Sequence, residues 1–187
     1  GHATAPENLT TVRWEHWIES IVRGCAVMRH QSERVVIGGF SLGGLLALEV
    51  AAMGSQDVAG VFSINAPLRL RDRRAKLAPL VVELDAVRRA LRLGSRHLMR
   101  RNDRSESPDI NYDTDYLRGV AQLVGIAKHC RKRLGEVRAP ALILQAEEDP
   151  VVSARSGREI CERLASEAKE LVELPLDRHI VVRGEHE

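Results

Sequence analysis

The stretch Arg34-Val35-Val36-Ile37-Gly38-Gly39-Phe40-Ser41-Leu42-Gly43 decides the fold of this chain. Its first half is a β-branched apolar run typical of a buried parallel strand, and its second half fits the pattern G-x-S-x-G. The residues from Leu42 to Met53 favour a helix, and Gly54 is a helix stop signal. A serine between such a strand and helix has its hydroxyl aimed out of the sheet, so the stretch predicts a nucleophile elbow at Ser41.

The turn at Ser41 is expected to be strained, and the residues packed beside it are expected to be small. Gly39, Gly43 and Gly44 meet that demand. The alternative interpretation is a glycine-rich turn in which Ser41 only caps the following helix. The strand before the motif and the helix after it favour the elbow.

A nucleophilic serine needs a base, and the base needs a carboxylate that holds its tautomer; after an elbow these follow in the order Ser, Asp, His. The apolar segment 139–146 predicts a strand that leads into Glu147, Glu148, Asp149 and Pro150. Carboxylates beyond the C-terminal end of a parallel strand lie at the edge where such sheets bind ligands. We predict Asp149 as the acid, because Pro150 helps to end the strand there. Glu147 and Glu148 are interpreted as solvated loop charges.

The predicted base is His179. The segment Glu170-Leu171-Val172-Glu173-Leu174 predicts a last short strand, and His179 lies in the loop that follows it. The remaining six histidines are interpreted as solvated or helix-end residues, or lie near a chain end: His2, His16, His30, His97, His129 and His186.

Further elements follow from the same patterns. A strand is predicted over 58–65, and Ser153 is positioned to cap a helix over 154–165.

The next strand after residue 65 begins only at Ala141, so the chain carries an insertion at about 67–130, which we interpret as a helical cap. Its first helix is rich in Arg, and its second helix has an apolar face between Tyr116 and Ala127. The apolar positions of the first helix recur at helical spacing and are expected to be buried against the mouth of the site: Leu77, Leu80, Val81, Leu84, Val87 and Leu91. The alternative is that the second helix is an ordinary crossover helix on the sheet.

With these motifs in place, the chain resembles the α/β-hydrolases, and among them the carboxylesterases and monoacylglycerol-lipase-like serine hydrolases. The resemblance rests on the elbow Gly39-Phe40-Ser41-Leu42-Gly43-Gly44, on the strand that ends in Asp149-Pro150-Val151-Val152, and on Arg178-His179-Ile180-Val181-Val182. The N-terminal Gly1-His2-Ala3 and Trp14-Glu15-His16-Trp17 are similar to the Gly-His-Gly loop and Trp-containing helix of that family. Ala3 departs from the usual Gly.

The resemblance implies an α/β fold: a parallel sheet with flanking helices and a helical cap insertion. Residues 1–187 would form a single partial α/β-hydrolase domain whose N-terminal strands are missing. It also implies that Ser41, Asp149 and His179 are catalytic, and that the backbone N–H of Leu42 is one oxyanion donor. The second donor would come from a loop upstream of Gly1. The strand order of the family would leave Val35 to Phe40 as an exposed sheet edge.

The expected activity is the hydrolysis of a carboxylic ester with a small or medium acyl group, without a cofactor. Amide, thioester, haloperoxidase or lyase chemistry occurs on the same scaffold. A different alternative is a non-catalytic binding or scaffolding module that binds through its open edge and its Arg-rich face. The expected partner is a small-molecule ester, and homo-oligomers through the edge or the cap are a further possibility.

Composition narrows the class of protein. The chain has 187 residues, of which 44% are hydrophobic. It lacks both an apolar run long enough to cross a membrane and a start that resembles a signal peptide. Three widely spaced cysteines, Cys25, Cys130 and Cys161, indicate reduced thiols and a cytoplasmic location. The motifs of metal and dinucleotide sites are absent.

The segment between Arg69 and Arg104 is basic, since it contains twelve Arg and Lys residues but four Asp and Glu residues. It lacks the aromatic residues that stack on bases in a nucleic-acid site, so we interpret it as a solvated face.

Overall fold

A computed structural model describes residues 11–54, 58–92, 99–101 and 114–182 of the chain. Within them, helices and strands alternate through most of the chain, which is typical of α/β proteins. In chain order the elements are α1 (Trp14–Arg29), β1 (Val35–Phe40), α2 (Leu42–Ala52), β2 (Val58–Ile64), α3 (Ala78–Ala90), β3 (Met99–Arg101), β4 (Thr114–Tyr116), α4 (Leu117–Arg133), β5 (Ala141–Ala146), α5 (Arg155–Arg163) and β6 (Lys169–Leu174). Short 3-10 helices occupy Arg73–Leu77 and Leu134–Glu136.

Four strands form one parallel sheet in the order β1-β2-β5-β6. The predicted parallel sheet is therefore confirmed, and β1 lies at its edge, as expected, among the described residues. Helix α2 contacts β1 and β2, and α5 contacts β5 and β6. Because all four strands run in the same direction, the segments that follow them emerge at one edge of the sheet.

Helix α2 is buried from Gly44 to Ala52, so its apolar sequence reflects packing on nearly every side. It ends as its sequence predicts, since Gly54 takes a positive φ of 71° that favours glycine. At its N-terminus, α2 follows directly on Ser41, where the chain leaves β1.

The chain divides into two compact units. One consists of Glu15–Arg71 and Ile126–Glu187 and contains the four-stranded sheet with α2 and α5. The other consists of Gly1–Trp14 and Asp72–Gly125 and contains α3 and the short strands β3 and β4. Its long segment, Asp72–Gly125, falls within the insertion predicted at about 67–130.

The structure differs from several local expectations. Strands β3 and β4 pair in antiparallel fashion, which the sequence did not indicate, and residues 102–113 between them lie outside the described ranges. The apolar positions of the first insertion helix are exposed, with Leu77, Leu84 and Leu91 more than half exposed, so their expected burial is wrong. Helix α5 begins after Ala154 without a side-chain cap, and the Ser153 N–H instead donates to the carbonyl of Arg69.

Candidate active site

Ser41 lies in the strained turn that the sequence predicts. Its φ of 53° and ψ of −122° lie outside the regions that residues other than glycine ordinarily occupy. The Ser41 N–H donates to the carbonyl of Ile64 at 2.8 Å, so the turn is attached to the end of β2. Leu42 is the first residue of α2, and a helix leaves the N–H of its first residue without an internal acceptor.

Two of the three glycines at the turn lie too close to their neighbours for a Cβ to fit without a shift. A Cβ at Gly39 would overlap the backbone of Gly43, and a Cβ at Gly44 would lie 2.8 Å from Ser63 Oγ. Gly43 differs, because a Cβ there would have no neighbour within 4 Å. The expectation that all three positions must be small is therefore wrong for Gly43.

The structure brings the three predicted side chains together. His179 Nε2 lies 3.0 Å from Ser41 Oγ, and His179 Nδ1 lies 2.7 Å from Asp149 Oδ2. His179 is 9% exposed and Asp149 is 1% exposed, so the pair is largely shielded from water. The ring of Phe40 packs beside the imidazole, with ring centroids 4.9 Å apart.

Asp149 is held by its own loop. Its Oδ1 accepts the backbone N–H groups of Val151 at 2.7 Å and Val152 at 2.8 Å, which leaves Oδ2 for His179. The Arg71 guanidinium donates to the carbonyl of Asp149 at 2.9 Å. These bonds fix the carboxylate in position, and the amide donors stabilise its negative charge.

The other predicted residues fall elsewhere. Glu147 and Glu148 are exposed, as expected. His129 is not simply solvated, because its Nε2 lies 3.2 Å from Glu49 Oε1. His16 lies in α1 and His30 directly after it, whereas His2, His97 and His186 lie outside the described residues. Gly1 and Ala3 also lie outside the described residues.

Sequence reasoning missed a buried cluster of ionisable residues that links α2, the helix after Ser41, to α4. Glu49 in α2 is fully buried and pairs with Arg133, which also donates to the carbonyl of Ala52 at 3.0 Å. Burial, followed by the charge of Glu49, raises the pKa of the Cys130 thiol to about 12, so this thiol stays protonated. A signal was present in the sequence, since Glu49 is the one charged residue between Leu42 and Ala52.

Asn65 is a second residue that the sequence analysis did not single out. It directly follows β2, is fully buried, and its side chain contacts the backbone of His179. A polar residue at the C-terminal end of an apolar strand was the available signal.

Two other kinds of feature are absent from the described ranges. There, no cluster of three or more His, Cys, Asp and Glu residues is arranged to hold a metal ion. In that same part of the chain, no helix combines the length and apolar character needed to cross a membrane.

The fold and the elbow define an α/β-hydrolase. Residues 13–187 match the Hydrolase_4 family, described as serine aminopeptidase, S33, and the chain belongs to this family. Among curated proteins, it is 24% identical to a thermostable monoacylglycerol lipase of Bacillus sp. (strain H-257), with 96% of this chain and 68% of the relative covered.

Solved structures agree on the fold. A structure reported for the metagenome-derived lipolytic enzymes LipS and LipT matches with a TM-score of 0.81 and 23% identity over 96% of this chain and 70% of that one. The monoacylglycerol lipase of Paleococcus ferrophilus matches with a TM-score of 0.68 and 19% identity over 94% and 70% of the two chains. The predicted α/β-hydrolase fold and family resemblance are confirmed.

Proposed function

We propose that this chain is a serine hydrolase that cleaves carboxylic esters through an acyl-enzyme intermediate. The observation that carries the proposal is the unbroken hydrogen-bonded series from Ser41 Oγ through the His179 imidazole to Asp149. A nucleophile, a base and a group that orients the base are the parts that this chemistry needs. The strained elbow supports the same assignment.

Each residue has a distinct role in the proposed reaction. Ser41 Oγ attacks the ester carbonyl while His179 Nε2 takes its proton, and His179 then returns that proton to the departing alcohol. A water molecule, deprotonated by His179, then attacks the acyl-enzyme. The bond between the acyl carbon and Ser41 Oγ breaks, His179 returns the proton to Oγ, and the acid is released. Asp149 holds the proton on His179 Nδ1, which keeps Nε2 available as a base.

The oxyanion of each tetrahedral intermediate forms beside the N-terminus of α2. The Leu42 N–H is the proposed donor there, and the helix dipole favours the negative charge. The proposal also includes a second N–H donor to the oxyanion, from the loop that supplies it in the family fold.

The proposed substrates are esters with a small or medium acyl chain. The names of the relatives support ester substrates in general, since these proteins are described as a monoacylglycerol lipase and as lipolytic enzymes. We also propose that residues 67–130 are a cap insertion of this domain.

A second candidate is amide cleavage, which the family description as serine aminopeptidase favours. The same nucleophile and base would act, but His179 would have to protonate an amine leaving group. A p-nitrophenyl ester and a p-nitroanilide with matched acyl groups separate these activities. If the protein is an ester hydrolase, kcat/KM should be much larger for the ester than for the anilide, and the protein should also hydrolyse monoacylglycerols.

The test is Ser41→Ala, compared with Ser20→Ala, which removes an exposed hydroxyl from α1. Ser41→Ala should reduce ester hydrolysis to near background and abolish labelling by a fluorophosphonate, whereas Ser20→Ala should change neither. Equal turnover by the Ser41→Ala protein would refute the proposed nucleophile. A wild-type protein that neither turns over esters nor takes up the label would instead favour a binding module.

A further inference from the structure

Asn65 connects three parts of the sheet edge on which the proposed site lies. It directly follows β2 and has a φ of 46°, a left-handed conformation that Asn tolerates better than most residues. Its backbone N–H donates to the carbonyl of Leu144 at 2.9 Å, which continues the pairing of β2 with β5. The side chain is thereby aimed along the strand ends.

The Asn65 amide makes hydrogen bonds on both of its sides. Its Oδ1 accepts the backbone N–H of Ala146 at 2.7 Å and Nε2 of Gln145 at 3.3 Å, both on β5. Its Nδ2 donates to the backbone carbonyl of His179 at 2.7 Å. Since a backbone N–H can only donate and a carbonyl can only accept, this orientation of the amide is the one that satisfies both partners.

Two adjacent residues therefore hold the two partners of the proposed proton transfer. The carbonyl of Ile64 accepts the N–H of Ser41, and the side chain of Asn65 holds the carbonyl of His179. His179 lies five positions beyond the end of β6, which is not a neighbour of β2 in the sheet. Asn65 reaches it across the end of β5.

We propose that Asn65 is a positioning residue that sets the 3.0 Å separation of Ser41 Oγ and His179 Nε2, acting through the backbone of His179. This inference rests on the proposed hydrolase function. Asp149 orients the imidazole ring, whereas Asn65 locates the loop that carries it. A misplacement of about 1 Å at such a pair costs on the order of 100-fold in rate, so this link affects turnover strongly.

Two substitutions separate positioning from structural support. Asn65→Asp keeps an oxygen for the Ala146 N–H and also tolerates the left-handed conformation, but it places a carboxylate oxygen against the His179 carbonyl. Asn65→Gly tolerates the backbone and removes both links. The matched control is Ser166→Ala, which deletes another buried side-chain bond, from Ser166 Oγ to the carbonyl of Ala168 before β6.

The experiment measures kcat and KM for a p-nitrophenyl ester at pH 8, the rate of fluorophosphonate labelling, and thermal unfolding. Both Asn65 variants should lose about 100-fold in kcat and in labelling rate, with KM changed less than about threefold. The Ser166→Ala protein should keep the wild-type kcat. A folded Asn65→Asp protein with kcat within about threefold of the wild type would overturn the inference.

A readout independent of turnover keeps the two proposals distinguishable. The wild-type NMR spectrum should contain a downfield proton on His179 Nδ1, shared with Asp149. This signal should shift or broaden in both Asn65 variants and remain in place in Ser166→Ala. If wild-type hydrolysis does not depend on Ser41, the proposed function fails, and an unchanged signal in the Asn65 variants overturns the positioning role on its own.

Discussion

At the scale of single residues, the site depends on what each atom of Asp149 accepts. One carboxylate oxygen is occupied by two backbone N–H groups of its own loop, and the other faces His179 Nδ1. This division leaves the imidazole one orientation, with Nε2 directed at Ser41. The neighbouring Glu147 and Glu148 are exposed and lack such an arrangement toward His179.

We therefore predict that Asp149→Asn lowers kcat by about 10⁴-fold, the magnitude known for this change in a serine protease triad. The new amide would retain an oxygen for the loop N–H groups and turn its NH₂ toward Nδ1. That contact favours the tautomer with a proton on Nε2, which cannot accept the proton of Ser41.

The measurement is ester turnover at a pH where the wild type is fully active, with Glu147→Gln and Glu148→Gln as controls. Both controls should stay within about threefold of the wild type, because surface substitutions change little. A larger loss of turnover in Glu147→Gln than in Asp149→Asn would mean that Glu147, directly after β5, is the acid instead of Asp149.

At the scale of elements, the close approach of β1 and α2 requires that Gly39 has no Cβ. We predict that Gly39→Ala destabilises the protein by about 1–3 kcal/mol, the usual cost of overpacking, because backbone atoms of Gly43 occupy the space. Gly43→Ala is the matched control within the same motif and should be within about 0.5 kcal/mol of the wild type. Urea unfolding measures both. Equal losses at the two positions would contradict the steric argument.

The ion pair of the buried Glu49 with Arg133 gives a second prediction at the scale of elements. Arg133→Met removes the arginine partner of the buried Glu49, which keeps its contact with His129, and also removes the bond to the carbonyl of Ala52. The expected loss is about 3–5 kcal/mol of unfolding free energy, because removing one partner of a buried ion pair is costly.

The control for this change is Arg158→Met, which breaks a surface pair with Glu173 at 2.8 Å. That arginine side chain is 55% exposed, so the loss should be below about 1 kcal/mol. Chemical denaturation compares the two variants directly. Similar losses would mean that the Glu49 pair is no stronger than a surface salt bridge.

At the scale of the whole molecule, one face of the sheet carries exposed apolar side chains on three neighbouring strands. Register places Val36, Phe62 and Leu142 on the same face, with exposures of 61%, 37% and 37%. Strand β1 has β2 as its neighbour on one side and forms the edge of the described sheet. Exposed apolar surface beside a strand edge favours association between copies.

We predict that replacing these three residues with Thr lowers self-association in light scattering and reduces the binding of an apolar dye. Threonine keeps the preference for a strand while removing apolar area. The control replaces the exposed Val22, Val27 and Met28 of α1 in the same way. If the control lowers association equally, the sheet face is not the contact surface.

Much of the sheet and the elbow could be predicted from the sequence, because local chemistry dictates them. A β-branched run, a G-x-S-x-G turn and a helix stop at Gly54 specify β1, Ser41 and α2 within a few neighbouring residues. The order of Ser41, Asp149 and His179 along the chain also follows from the sequence once the strands are recognised. Exposure was harder to predict, as Leu77, Leu84 and Leu91 have helical spacing but remain in solvent.

Only the tertiary structure decided which distant groups meet. The bond from Asn65 to His179 spans 114 positions and the contact of Glu49 with Arg133 spans 84, and no local pattern encodes either partner. It also decided that Gly39 and not Gly43 is sterically required, because the clash arises from the packing of a strand end against a helix. The physical reason is that periodicity and turn chemistry act over a few residues, whereas hydrogen-bond partners and close contacts depend on how the strands are ordered in the sheet.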